Sequence, residues 1–412
     1  MVGGSPVKRF DIVFDSPSGA FYAGQVVSGK VIIDLNEAMK VRSVKLRWLG
    51  EASVNFQDTN SKKKVSETQK YFDETVVLFG SADTSLLGDT TMLNAGYVEF
   101  PFSFTPPQKS PSSFESSLGH VRYLCKAIIH RPWVFNVNAK KAFTLVSNLD
   151  LNGEPKAFTP GYVHSDKRFS MTDRILACVR GGLTVTVKLD RCAYVPGEKM
   201  LINAEVSNYS SKRVKGVEAF LQQNVIYLSS SGGSCFCAGN TKIGLISQGE
   251  VTCGDVQVWH QEPLNIPALP PSKLGGCRLI NVDYMFKFIV DVENSPKIVL
   301  TIPIVIGTIP LHQQPISWLP HDQQQQPTPA PRLTTQPSAP PAADILDLPP
   351  LPSYEECLHM DQGNIEHEDN EQTFGDTTYR PLYPTYADLH RPAVPIATAA
   401  ATASAPPVAC KQ

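Results

Sequence analysis

The chain has 412 residues, with 37 Lys+Arg against 39 Asp+Glu and 42% hydrophobic content. That length allows two or three domains at roughly 100–200 residues each, and the hydrophobic content is that of an ordinary globular chain. No window approaches the roughly 18 consecutive apolar residues of a membrane-crossing helix.

The opening MVGGSPVKRF has no apolar stretch, Val2 stands where a myristoylation motif needs glycine, and Cys410 sits one place too late for a CaaX box. No leader or lipid anchor is therefore expected, and any membrane association is expected to be peripheral. Distribution says more than totals. Eighteen of the 34 prolines fall from Pro310 to Gln412, and that stretch holds 4 basic and 12 acidic residues, leaving the first 309 residues at +6. A mildly basic body with an acidic tail suits anionic partners such as phosphorylated peptides or inner-leaflet lipids. Ordinary surface charge beside a solvated tail is the simpler account of the same numbers.

In chain order, the first 309 residues show little helical periodicity and much alternation. Val44, Leu46 and Trp48 fall on one face of a run from Val41, with Ser43, Lys45 and Arg47 on the other. Lys62-Lys63-Lys64 marks a loop tip. Val121, Tyr123, Cys125, Ala127 and Ile129 share one face of the next clear strand, and Leu183 to Leu189 alternates again. Many such half-buried strands between Gly, Pro, Asn and Asp turns predict β-sandwiches. A faint repeat runs through them. Tyr22-Ala23-Gly24 leads into a strand and recurs as Tyr194-Val195-Pro196-Gly197. Pro111-Ser112-Ser113-Phe114 before the strand at Val121 is echoed by Pro270-Pro271-Ser272 before Cys277 to Tyr284. An offset of this size points to two related domains rather than a solenoid, joined near Val163–Leu176. From Leu311 the glutamines at 323–326, the repeated prolines and the alanine run at 397–403 predict a disordered tail.

These motifs resemble the arrestin superfamily, and within it the arrestin-domain-containing α-arrestins. The resemblance lies in Tyr22-x-Gly24 with Val27-Ser28-Gly29, Phe100-Pro101-Phe102-Ser103-Phe104, Pro111 to Glu115, Gly119 to Tyr123 and Arg131-Pro132-Trp133. It continues in Tyr194 to Glu198, Asn208-Tyr209-Ser210, Ile266 to Ser272, and Pro303 to Pro310. It implies an all-β chain: two arrestin-type, immunoglobulin-like β-sandwich domains in series over 10–165 and 176–310, then a Pro-rich tail over 311–412. It also implies a cytoplasmic adaptor found peripherally at the plasma membrane and endosomes. Such an adaptor links receptors or transporters to WW-domain HECT-type ubiquitin ligases and to endosomal sorting machinery.

The tail is where that work is expected. Pro349, Pro350, Leu351, Pro352, Ser353 and Tyr354 form a proline-led segment ending in tyrosine. Such a segment favours polyproline II, which a WW domain takes in an aromatic groove. Leu351 replaces the first proline of the family's Pro-Pro-x-Tyr pattern. It keeps an apolar contact and loses the fixed φ, so weakened binding is expected. A spacer with a chance tyrosine is the alternative. Pro381, Tyr383, Pro384 and Tyr386 form a secondary pair of overlapping Pro-x-Tyr units. Tyr386-Ala387-Asp388-Leu389 also fits a tyrosine sorting signal.

No phosphate loop, HExxH or GxSxG is present, and the nine histidines are dispersed, so no catalysis, cofactor or nucleic-acid partner is expected. Cys235, Cys237, Cys253 and Cys277 fit no zinc spacing, and no metal is expected. Arg122 is open between an ion pair and an outward position. Two other functions compete. One is a thioredoxin-binding-type redox or metabolic regulator, which would need a reactive thiol at Cys253 or Cys192. The other is a ligase-independent sorting scaffold like the arrestin-fold retromer subunit.

Overall fold

The computed structural model describes residues 6–58, 62–81, 89–169, 181–229, 235–312, 352–365 and 372–386. Among them there is no α-helix. The first sandwich contains β1 (Val7–Phe14), β2 (Ala20–Tyr22), β3 (Val27–Leu35), β4 (Met39–Val41), β5 (Ser43–Gln57), β6 (Lys64–Gly80), β7 (Thr91–Leu93), β8 (Gly96–Phe104), β9 (Phe114–Ser116), β10 (Gly119–His130) and β11 (Val137–Val146). Its layers run β1-β3-β8 and β2-β11-β10-β5-β6. The second contains β12 (Gly161–Lys167), β13 (Leu183–Leu189), β14 (Ala193–Tyr194), β15 (Lys199–Asn208), β16 (Val214–Leu228), β17 (Cys235–Gln248), β18 (Val256–Asn265), β19 (Ile280–Val292) and β20 (Ile298–Ile306). Its layers run β12-β13-β15-β18 and β14-β20-β19-β16-β17.

The alternation becomes burial strand by strand. Val121, Tyr123, Cys125, Ala127 and Ile129 of β10 are all fully buried, as are Val44, Leu46 and Trp48 of β5. Trp48 stacks on Phe104 at 4.9 Å and meets Phe102 edge-on at 5.2 Å. Burying one such large apolar side chain contributes about 1.5–3 kcal/mol. A one-residue slip of β10 would turn Arg122 and Lys126 inward instead, which is why the register holds.

The internal repeat is real at atomic level. β2 pairs in parallel with β11, and β14 in parallel with β20. Each short strand ends at a tight turn whose glycine takes a left-handed conformation, Gly24 at φ 85° and Gly197 at φ 93°, which a side chain would strain. Buried Tyr123 donates its hydroxyl to Pro111 O at 2.7 Å, and buried Tyr284 donates to Pro270 O at 2.7 Å. Ser113 Oγ accepts from Leu145 N and Ser272 Oγ from Ile306 N, at 3.0 and 2.9 Å.

Residues 161–165, expected with the first sandwich, hydrogen-bond into the second, because β12 pairs with β13 from Gly161↔Leu189 to Lys167↔Leu183. The sandwiches touch at both ends. Gln69 Nε2 donates to Gly276 O (3.0 Å) and its Oε1 accepts from Arg278 N (2.9 Å). Tyr227 donates to Ser116 Oγ at 2.6 Å. At the other end Leu149 N donates to Thr308 Oγ1 (2.8 Å), and Thr308 Oγ1 donates to Ser147 O (2.9 Å).

Two stretches are an exception to the disorder expected over 311–412. Residues 352–365 and 372–386 lie against the body as β21 (Ser353–Glu356), β22 (Gly363–Asn364), β23 (Gln372–Gly375), β24 (Thr378–Tyr379) and β25 (Leu382–Thr385). The physical reason is local. No proline occurs between Pro352 and Pro381, and that window supplies Cys357, Met360, Ile365 and Tyr379, all buried.

Candidate interaction site: the docked tail

The tail sits on β11, β9 and the turns beside them. β23 extends the larger sheet of the first sandwich by pairing in parallel with β11, from Val137↔Gln372 to Lys140↔Gly375. β21 and β25 pair antiparallel as a two-stranded ladder, with Tyr354 opposite Pro384 and Glu355 opposite Tyr383. Phe374 reaches Phe10 edge-on at 6.4 Å. Extended backbone at a sheet edge gains main-chain hydrogen bonds without needing a helix-forming sequence, which suits this short, polar-rich segment.

Tyrosines anchor it. Tyr383 is fully buried and donates to Ser113 O at 2.6 Å, with Met360 Sδ also in reach at 3.5 Å. Tyr379 hydrogen-bonds Phe143 O (3.1 Å) and Thr144 Oγ1 (2.9 Å), and Thr144 Oγ1 also accepts from Leu382 N at 3.1 Å. Tyr386 reaches the second sandwich. Its hydroxyl donates to Thr308 O (2.8 Å), its amide to Pro196 O (2.9 Å), and its ring packs with Leu151, Ala193 and Val195. Burial pushes the Tyr383 hydroxyl well above its ordinary range, so it stays a neutral donor.

The second anchor is an ion pair. Arg122 meets Glu115 side-on with both fork nitrogens at 2.7 Å, and Glu115 is 1% exposed. The pairing follows from register. β9 and β10 pair His120 with Glu115, so Arg122 lies one step further along the same face. Arg122 Nη1 donates to Asn364 O at 2.9 Å, bringing the tail down onto the pair. Gly363 lets the backbone come this close: a Cβ would stand 2.4 Å from Glu115 Oε2 and 2.5 Å from Arg122 Nη2, and would push the ion pair aside. Burial pushes the Glu115 carboxyl up against the pull of Arg122, and pushes the nearby His120 imidazole down to about 4. Asp361 accepts from Ser117 N (2.6 Å), and Asp376 accepts from Ala142 N (3.2 Å) while pairing with Lys141 (3.3 Å).

Of the residues expected to bind WW domains, Pro349, Pro350 and Leu351 lie outside the described residues. Pro352 and Tyr354 are half-buried and Ser353 is exposed. Burial and the adjacent Tyr22 hydroxyl push Tyr354 up to about 12. Pro381, Tyr383, Pro384 and Tyr386 are all buried against the body, so in this arrangement the secondary Pro-Tyr motif is part of the docking core. Ala387, Asp388 and Leu389 of the sorting-signal pattern lie outside the described residues. Of the residues that carry the docking, Glu115 falls in the Pro111-to-Glu115 motif, whereas Gly363, Asn364 and Thr144 have none. The proline-free window was the one signal pointing to Gly363 and Asn364.

Other chemistry is thin among the described residues. No group of three or more His, Cys, Asp or Glu is placed to hold a metal, and no helix is long and apolar enough to cross a membrane. A cavity of about 400 Å³ between β1, β11 and the tail is lined by mixed groups including Asp11, Lys141, Thr144 and Arg380. Cys125 is fully buried and Cys192 half-buried, and burial pushes both thiols up, away from the reactive thiolate. Cys253 is exposed.

Comparison with known proteins agrees with the fold. Residues 10–152 match the family model of the arrestin (or S-antigen) N-terminal domain, and 180–311 that of the C-terminal domain. The chain is 34% identical to Arrestin domain-containing protein 17 of Caenorhabditis elegans over 369 residues, covering 86% of this chain and 81% of that protein. It is 28% identical to human Arrestin domain-containing protein 1 over 353 residues, 85% of this chain and 72% of that one. It is 26% identical to mouse Thioredoxin-interacting protein over 309 residues, 75% of each.

Proposed function

We propose, from the premise that this chain belongs to the arrestin domain-containing (α-arrestin) proteins, that it is a non-enzymatic adaptor joining membrane cargo to a WW-domain HECT-type ubiquitin ligase. Cargo, a receptor or transporter, is held by the sandwiches at the cytoplasmic face of the plasma membrane and endosomes. The ligase is held by the segment Leu351-Pro352-Ser353-Tyr354. Ubiquitinated cargo then passes to endocytosis and endosomal sorting. The observation that carries this reading is that Pro352-Ser353-Tyr354 remains half-exposed at the edge of the docked tail, whereas Pro381, Tyr383, Pro384 and Tyr386 are buried. One proline–tyrosine segment thus lies at the rim of the docked tail and the other in its core. The arrestin fold supports the adaptor work in general, and the ligase link rests on the motif.

The test is co-purification of the full chain with a WW-domain HECT ligase. Wild type should retain the ligase and Tyr354→Ala should lose most of it. Equal recovery of both would remove the ligase from the account and leave a ligase-independent scaffold. The thioredoxin-binding reading, suggested by the name of one relative, is less favoured because burial raises the Cys192 thiol. A mixed disulfide with thioredoxin that Cys253→Ser abolished would revive it.

A further inference from the structure

We infer that the docked tail is an intramolecular mask, so that a WW domain captures only those molecules in which residues 352–365 and 372–386 have lifted from the body. The inference rests on the ligase-adaptor reading and adds its regulation. A WW groove must close around both the proline ring and the tyrosine ring of its ligand, with the peptide extended and free on that face. Here Tyr354 lies in the β21–β25 ladder opposite Pro384, and its ring is half-buried beside Tyr22. Tyr383 is 0% exposed. Neither tyrosine can enter a groove without breaking the β21–β25 ladder or its contacts with the body.

The mask has a latch at each end. One is Gly363-Asn364 seated on the Arg122–Glu115 pair, where Arg122 Nη1 holds Asn364 O at 2.9 Å and a Cβ at 363 would displace the pair. The other is Tyr386, held by Thr308 and Pro196 of the second sandwich. Because Thr308 also hydrogen-bonds Ser147 and Leu149 in the link between the sandwiches, a change in their relative position acts on the tail. Residues 313–351 join the tail covalently to the body, so re-docking is intramolecular. Apparent affinity for a partner that needs the lifted state falls in proportion to the lifted fraction.

The experiment titrates one isolated WW domain into a peptide of residues 346–360, into the full chain, and into full-chain Gly363→Val. Position 363 lies outside the peptide, so this variant changes docking and leaves the motif intact. Masking requires the wild-type chain to bind at least ~10-fold more weakly than the peptide, and Gly363→Val to recover to within ~3-fold of it. Equal affinity of peptide and wild-type chain overturns the mask. A peptide that does not bind overturns the ligase reading instead. In that case hydrogen exchange still decides on the mask: slow exchange at 354–356 and 383–385 in wild type, lost in Gly363→Val, supports docking, and fast exchange in wild type refutes it. Should Gly363→Val fold poorly, truncation after residue 371 removes β23–β25 and must give the same recovery.

Discussion

Tyr383→Ala separates a buried anchor from a second binding motif more sharply than any other single change. Were Tyr383 a WW ligand, its loss would weaken ligase binding. In the structure it is a core residue whose ring is fully enclosed and whose hydroxyl donates to Ser113 O at 2.6 Å. Truncating a buried aromatic to alanine costs about 3–5 kcal/mol. Leaving the buried Ser113 carbonyl without its donor is part of that penalty. The loss falls on tail docking, because Tyr383 lies beyond the strands of both sandwiches. At 1.4 kcal/mol per tenfold, it shifts the docked-to-lifted ratio by a factor of roughly 10² to a few thousand. The full chain with Tyr383→Ala should therefore bind an isolated WW domain more tightly than wild type, by calorimetry, with Tyr354 still required. Hydrogen exchange should show residues 353–356 losing protection at the same time. Weaker binding, or unchanged binding with a tail that stays protected, would refute the reasoning.

Three further outcomes follow from the same geometry. Arg122→Ala leaves Glu115 buried without its partner and should cost about 3–5 kcal/mol in denaturant unfolding, whereas Arg122→Leu with Glu115→Met should recover most of it. His120 is held down to about 4 against an ordinary 6.5, so the unfolded chain binds the proton first as pH falls. Stability should drop by about 2 kcal/mol between pH 7 and pH 5, and His120→Gln should flatten that slope in pH-dependent melts. Leu351→Pro should strengthen binding of the tail peptide to a WW domain by restoring the stiff Pro-Pro-x-Tyr pattern, seen as a lower Kd.

Much of the fold was legible because a half-buried strand has to alternate. Val121 to Ile129 and Leu183 to Leu189 announce their buried faces residue by residue, and the paired Pro-Ser and Tyr-x-Gly motifs announce the duplication. Arg122 stayed open in the sequence because its partner is fixed by the β9–β10 register, in which Glu115 faces His120 across a tight turn. The docked tail was hidden for a different reason. Average composition over 311–412 is that of a chain unable to build a core, yet residues 353–380 need build none. The described residues of that stretch borrow the edge of β11 and an existing core, contributing Cys357, Met360, Ile365, Phe374 and Tyr379 before Tyr383. Composition averaged over a hundred residues hides a proline-free window of this length. A Pro-x-Tyr pattern, for its part, does not say whether its tyrosine faces a partner or the chain's own interior.

The adaptor account stands most directly on Tyr354 as a WW ligand. Calorimetric titration of a peptide of residues 346–360 with isolated WW domains of HECT ligases measures this free of docking. The account predicts saturable binding that Tyr354→Ala weakens at least ~10-fold, the loss expected of one anchoring ring at about 1.4 kcal/mol or more. Binding that Tyr354→Ala leaves unchanged, or no binding by the wild-type peptide, would contradict it.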